Sequence, residues 1–170
     1  MQEIYIPSER ARLLASKGGA IKRLEKLCGC KVRIAAGMAI ELAGDAYGEY
    51  VARNIVHAFG RGFGIETAER LIGDEVYFSS IDFGSAGKNR VRGIRARLIG
   101  ENGRAKSYIE RVSGAHISVY GDTISFIGKA SEIEEAETAA RTIIEGGSHR
   151  LAYTRMEAAH RKNRRLAETV

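Results

Sequence analysis

Positive charge and a glycine turn meet in Arg97-Leu98-Ile99-Gly100-Glu101-Asn102-Gly103-Arg104-Ala105-Lys106. Neither Gly100 nor Gly103 carries a Cβ, so the backbone between them can turn sharply and approach a ligand closely. A helix starting after Gly103 points its unbonded first-turn N–H groups at whatever sits on the turn. A phosphate fits that place, and Arg95, Arg97, Arg104 and Lys106 supply charge beside it. This is the chemistry of binding rather than of turnover. The chain has no Gly-Lys-Ser/Thr phosphate loop, no paired carboxylates at a useful spacing, and four scattered histidines, His57, His116, His149 and His160. No enzyme is expected. Cys28 and Cys30 are the only cysteines, too few for a tetrahedral zinc site and without a histidine pair nearby, so a reduced, packed pair is expected, with no metal and no cofactor.

The elements that must hold this turn can be read on both sides of it. Ile94, Leu98 and Ile99 before it, and Tyr108, Ile109 and Val112 after it, have helical spacing. Next come Ala115 to Tyr120, the Gly121-Asp122 turn, and Thr123 to Ile127. Ile117, Val119, Ile124 and Phe126 recur there at period two, the pattern of a hairpin. An amphipathic helix follows from Ser131 to Glu145, and an apolar segment at Val76-Tyr77-Phe78 precedes the whole.

The same order occurs earlier. Ile4-Tyr5-Ile6-Pro7 reads as a strand with Ser8 as the next cap. Ala11 to Ser16 is a short helix. A second helix places Ile21, Leu24 and Leu27 on one face and stops at Gly29. Strands are expected at 31–34 and 38–42 around Ala36-Gly37, then a helix capped by Asp45 and running to about Phe59. A shift of 85 residues lays Leu14 on Ile99, Gly18 on Gly103, Glu25 on Glu110, Val32 on Ile117 and Ile34 on Val119. A period this long means tandem domains. The copies differ at the turn, where Ala15 stands in place of Gly100 and the run reads Ala15-Ser16-Lys17-Gly18, with an extra Gly19. Alanine disfavours positive φ and keeps the backbone away from a phosphate. Lys17, Lys22 and Arg23 remain as point charges.

Charge is segregated. The net charge is +6, with +6 over residues 8–34, −5 over 35–87, +6 over 88–111, −4 over 112–147 and +5 over 148–165. Both large basic blocks coincide with glycine turns, which points to an anionic polymer as partner. No run of eighteen apolar residues and no secretory leader are legible, so a cytoplasmic protein without a membrane partner is expected. The Gly60–Gly73 stretch carries Ile65, Ala68, Leu71 and Ile72 on one side, which predicts a docked connector holding the two domains rigidly. After Ser148, Leu151, Met156 and Ala159 accompany Arg150, Arg155, Arg161, Lys162, Arg164 and Arg165, a basic helix that lies on RNA or frays, with its last ten residues mobile.

The order strand, helix, Gly-x-x-Gly, helix, strand, strand, helix resembles a KH domain. The strings Arg61-Gly-Phe-Gly-Ile-Glu-Thr-Ala, Ile117-Ser-Val-Tyr-Gly-Asp-Thr-Ile and Ile144-Glu-Gly-Gly-Ser-His149, with Tyr153 downstream, carry the likeness further. Over nearly the whole chain they resemble the archaeal ribosome-assembly KH proteins related to the eukaryotic partner-of-Nob (Dim-two) and Krr families. The resemblance implies an α+β chain of two tandem type I KH domains, each β-α-α-β-β-α with a three-stranded antiparallel sheet packed on three helices, plus a basic C-terminal helix. The expected divisions are 1–59 for a first domain with a degenerate turn, 60–73 for the connector, 74–147 for a second domain with an intact turn, and 148–170 for the basic helix or tail. It also implies binding at the 3′ end of small-subunit ribosomal RNA. The implied protein partners are the endonuclease that trims that end and the α subunit of initiation factor two, with the first domain as a protein-facing platform.

The expected RNA site comprises Gly100, Glu101, Asn102, Gly103, Arg104 and Lys106, with Arg95 and Arg97 on phosphates and Ile94, Ile99 and Ile117 as an apolar groove for bases. About four nucleotides of single strand fit such a site. The backbone of the strand at Ile117, and His116, are placed to read base edges, His116 being otherwise a plain surface residue. The scarcity of aromatics in these elements argues against a stacking platform. The alternative is a protein adaptor, for example to a translation initiation factor, whose RNA affinity is incidental.

Overall fold

A computed structural model describes residues 2–16 and 19–169. Lys17 and Gly18, half of the altered first turn, lie outside the described residues. Backbone contacts divide the chain into two units, Met1–Asp74 and Glu75–Val170.

In the first unit, β1 (Gln2–Tyr5), α1 (Ser8–Ser16), α2 (Ala20–Cys28), β2 (Lys31–Ile34), β3 (Ala39–Ala43), α3 (Ala46–Gly60) and the single-turn α4 (Ile65–Ala68) follow in order. The sheet is antiparallel with strand order β1-β3-β2. Asp45 caps α3 by accepting from the Gly48 N–H at 2.6 Å. The buried face of α2 is Ala20, Leu24 and Cys28, one step round from the expected Ile21, Leu24 and Leu27, and Leu27 is exposed. The apolar set was wide enough for either face, and the small Ala20 and Cys28 allow the closer approach. Cys28 and Cys30 are buried free thiols. The 60–73 stretch belongs to this unit rather than standing between the two. Its Ile65 and Ala68 are buried, and a 3₁₀ turn follows at Glu69–Ile72.

The second unit has β4 (Tyr77–Asp82), α5 (Lys88–Ile99), α6 (Arg104–Ser113), β5 (His116–Tyr120), β6 (Thr123–Gly128), α7 (Ala130–Ile144) and α8 (His149–Glu168). Its antiparallel sheet has the order β4-β6-β5, with Ile81 and Val119 both opposite Ile124, and Ile117 opposite Phe126. The period-two residues Ile117, Ile124 and Phe126 enter one core with Val91, Ile94, Leu98, Ile109, Ile133, Ala136 and Ile143. The same core takes in the basic helix expected to lie on RNA or fray. Ala152 and Met156 of α8 are fully buried in it, and α8 stays helical to Glu168. Its buried face is Ala152 and Met156, whereas Leu151 is exposed. Burial of these two side chains makes α8 part of the second unit and not a detachable tail.

The two units share a device at the end of their third long helix. Such an end leaves carbonyls without helical partners and carries partial negative charge. In the first unit Arg10 donates to the carbonyls of Phe59 (2.9 Å) and Phe63 (2.6 Å), its guanidinium 4.1 Å from the Phe59 ring centroid. In the second, Arg97 donates to the carbonyls of Ile143 (3.0 Å) and Gly147. Each arginine joins the first long helix of its unit to two carbonyls four residues apart.

Candidate nucleic-acid interface

The glycine turn joins α5 to α6, and its two glycines are required for different reasons. Gly100 has φ 76°, and a Cβ there would lie 2.7 Å from both the Cβ and the N of Ala105. The close approach of Ala105, itself buried, makes this glycine a packing necessity. Gly103 has φ 73°, but a Cβ there meets nothing within 4 Å. Its surroundings are open, as a ligand site must be. Asn102 between them is left-handed at φ 53°, which Asn tolerates better than most residues. As the N-cap of α6, Gly103 offers no side chain to accept from the first-turn N–H groups. Those donors and the positive helix end are left for an external anion.

The surrounding residues divide into two sets. Glu101, Asn102 and Arg104 are exposed on the turn, and Arg104 forms no ion pair among the described residues. Lys106 lies one turn on, with Nζ 3.1 Å from Glu110 Oε1. Arg95 reaches the hairpin, donating from Nε to the Gly121 carbonyl at 2.7 Å. Its remaining guanidinium donors have no partner among the described residues. Arg97 differs from expectation. Its guanidinium is turned to the end of α7, and its own carbonyl accepts from His149 Nε2 at 2.8 Å. It is a structural tie and not a phosphate ligand. Spacing alone could not distinguish the two, because an arginine on a helix looks the same in sequence whichever way it points.

The expected apolar groove is also corrected. Ile94 and Ile117 are only 5% and 4% exposed and belong to the core. Only Ile99, half-buried, remains at the surface to meet a base. The backbone N–H of Ile117, at the edge strand β5, is bonded to Glu110 Oε1 at 2.8 Å. That donor is closed to a base edge. His116, half-buried on the same strand, stands where it was expected.

Sequence reasoning passed over a polar and aromatic cluster on the flank of α6. The Tyr108 hydroxyl donates to Glu157 of α8, the Tyr108 and Tyr153 ring centroids are 4.3 Å apart, and the Arg111 guanidinium is 5.2 Å from the Tyr108 centroid. The bond to Glu157, ahead of burial, pushes the Tyr108 hydroxyl pKa up. The available signal was a tyrosine on α6 and another on α8. It needed the knowledge that α8 packs against α6. No group of three or more metal-binding side chains occurs among the described residues, and no described helix is long and apolar enough to cross a membrane.

An antiparallel sheet covered by helices, with a Gly-x-x-Gly turn opening one of them, defines a KH-domain protein. Residues 77–161 match the model of the second KH domain of PNO1, an eukaryotic type KH-domain (KH-domain type I). A KH domain-containing protein of Methanocaldococcus jannaschii is 34% identical over 170 residues, spanning 95% of this chain and 75% of the relative. The crystal structure of Dim2p from Pyrococcus horikoshii OT3 superposes with a TM-score of 0.84 at 34% identity, covering 92% of this chain and 98% of that one. A chain of the a/eIF2α–aDim2p–rRNA complex from the same organism gives 0.87 at 32% identity, covering 95% and 94%. A protein of unknown function from Aeropyrum pernix, at 22% identity and a TM-score of 0.91 over 99% and 94%, shares the fold. The chain belongs to the Dim2p/PNO1 family of KH-domain proteins.

Proposed function

We propose that this protein is an RNA-binding ribosome-assembly factor that grips single-stranded RNA, at the 3′ end of small-subunit ribosomal RNA, through its second unit. The observation that carries the reading is the open Gly103 at the uncapped start of α6, with an unpaired Arg104 beside it. Phosphates rest on the first-turn N–H groups of α6, and Arg104, Lys106 and the free end of Arg95 add charge. Ile99 meets a base, and His116 reads an edge. The rRNA-containing complex of the Pyrococcus relative supports an RNA partner, and its a/eIF2α subunit supports initiation factor two α as a protein partner. The endonuclease that trims the RNA end is the further partner this reading implies. The first unit, which repeats the element order, is a second KH domain whose turn departs at Ala15. Its role is as a protein-facing platform.

The test is a titration with a short oligonucleotide from that RNA end and a scrambled control, at two salt concentrations, for wild type and Gly103→Asp. Selective binding that is lost in the variant supports the reading. With three or four phosphates neutralised on a single strand, the slope of log affinity against log salt is about −2 to −3. A slope near zero, with binding unchanged in the variant, favours a protein adaptor.

A further inference from the structure

The outward face of α8 is a row of cations with a rigid foundation. Its inward face is fixed at three levels. Ala152 and Met156 are buried in the core. One turn beyond, the Glu135 carboxylate, 3% exposed, faces His160 Nδ1 at 2.8 Å and Asn163 Nδ2 at 3.0 Å. At 100° per residue, the side of the helix opposite Met156, His160 and Asn163 carries Arg150, Thr154, Ala158, Arg161 and Arg165, with Lys162 at its margin. All are exposed, and none of the four cations forms an ion pair among the described residues. From Arg150 to Arg165 the row is about 22 Å long at 1.5 Å per residue. A groove on this side is lined by Ala158, Arg161, Lys162, Arg165, Leu166 and Thr169.

We propose that this face of α8 is a second RNA-binding surface, which follows the phosphates of a duplex adjoining the single strand held at Gly100–Gly103. The single-strand part of that statement rests on the function proposed above. The argument for a duplex is one of shape and composition. Single-strand surfaces combine charge with aromatic side chains that stack on bases, and this face has no aromatic residue. Double-stranded RNA is instead recognised by its shape and its phosphates, which a stiff, straight array of guanidinium and ammonium groups matches. Through Tyr108, Tyr153 and Glu157, α8 is packed directly against α6, the helix that the turn opens.

Three RNA probes separate the parts: the bare single strand, a blunt hairpin, and the hairpin carrying the single strand as a tail. The variant is R161Q/K162Q/R165Q, with R161K/R165K as the charge-conserving control. Wild type is expected to bind the tailed hairpin about tenfold more tightly than the bare strand. The triple variant is expected to lose that gain, to keep its affinity for the bare strand, and to lower the salt slope on the tailed hairpin by about 2 to 3, near 0.9 per phosphate released. The conservative variant keeps the gain. The blunt hairpin reports α8 alone, so a failure of the Gly103 reading shows separately as weak binding of the bare strand. The proposal is overturned if the hairpin adds nothing in wild type or if the triple variant weakens the bare strand equally. Polyglutamate competing as well as the blunt hairpin would also overturn it, in favour of an acidic protein partner.

Discussion

The carboxylate of Glu110, on α6, accepts the backbone N–H of Ile117, on the edge strand β5, at 2.8 Å. Its repeat counterpart does the same, Glu25 accepting from Val32 at 3.0 Å. Helix and strand are thus joined at the same point in each unit, and an outward-facing edge donor is satisfied by a side chain instead of water. A charge-assisted bond of this kind contributes about 1.5–3 kcal/mol. Glu110→Ala is expected to destabilise the second unit by about that amount in denaturant titration. An unfolding midpoint equal to wild type would show that water replaces the carboxylate at no cost.

The two turn glycines should separate stability from binding. Gly100→Ala forces a Cβ against Ala105 and onto a positive φ. The Gly100 φ of 76° with ψ of 171° is a conformation essentially confined to glycine and costs another residue about 1–3 kcal/mol, and the contact adds to it. Gly103→Asp meets no atom but also places a side chain at positive φ, so it should cost only about 1 kcal/mol, less than Gly100→Ala, while oligonucleotide affinity falls at least tenfold. Equal destabilisation by both substitutions would contradict the geometry described for the turn.

Arg97 and Arg104 should also behave oppositely. Arg97→Gln removes the tie to Ile143 and Gly147 and should lower thermal stability while leaving the salt slope of RNA binding intact. Arg104→Gln should leave stability unchanged and reduce the slope by about 0.7, one single-strand phosphate. Isothermal titration at three salt concentrations, alongside thermal melts, reads both.

Met156 is fully buried in the core of the second unit. Met156→Ala is expected to cost about 2–5 kcal/mol, as for other buried large-to-small changes. Hydrogen exchange should then rise in β5, β6 and α7 as well as in α8. A change confined to α8 would make the helix an appendage after all.

The Cys28 thiol is pushed up to about 11 from 9.0, chiefly by burial, with Cys30 and Glu69 adding to it. Below 9.0 the thiol is neutral in both folded and unfolded chains, and folding gains nothing from it. Between 9.0 and about 11 the unfolded chain loses the proton first, so stability falls as pH rises. Cys28→Ala should flatten that decline in melts recorded across this range. An identical decline in the variant would assign it to other groups.

The fold was legible because its signals are local. Ile117, Val119, Ile124 and Phe126 alternate, the turn glycines are three residues apart, and the repeat aligns Glu25 with Glu110 and Val32 with Ile117. The members of the candidate site were legible in part. Gly100, Gly103 and Arg104 stand as expected because the turn itself fixes them. Arg97, Ile94 and Ile117 do not, because their roles depend on which side of α5 and β5 the core lies and on where α7 ends. The docking of α8 on the core was not legible because composition records how polar a segment is. It does not record that two small gaps in that polarity, at Ala152 and Met156, suffice to anchor it.

That anchoring orders events while the chain is being made. Elements from Gln2 to Ile72 complete the first unit early, and domains generally fold as they emerge, the earlier before the later. The second unit has all its strands by Gly128, yet its core has an open side until Met156 has been made, and Glu135 lacks its partners until His160 and Asn163 follow. The nascent protein therefore holds a finished first half beside a Gly-x-x-Gly half that closes only with its last helix.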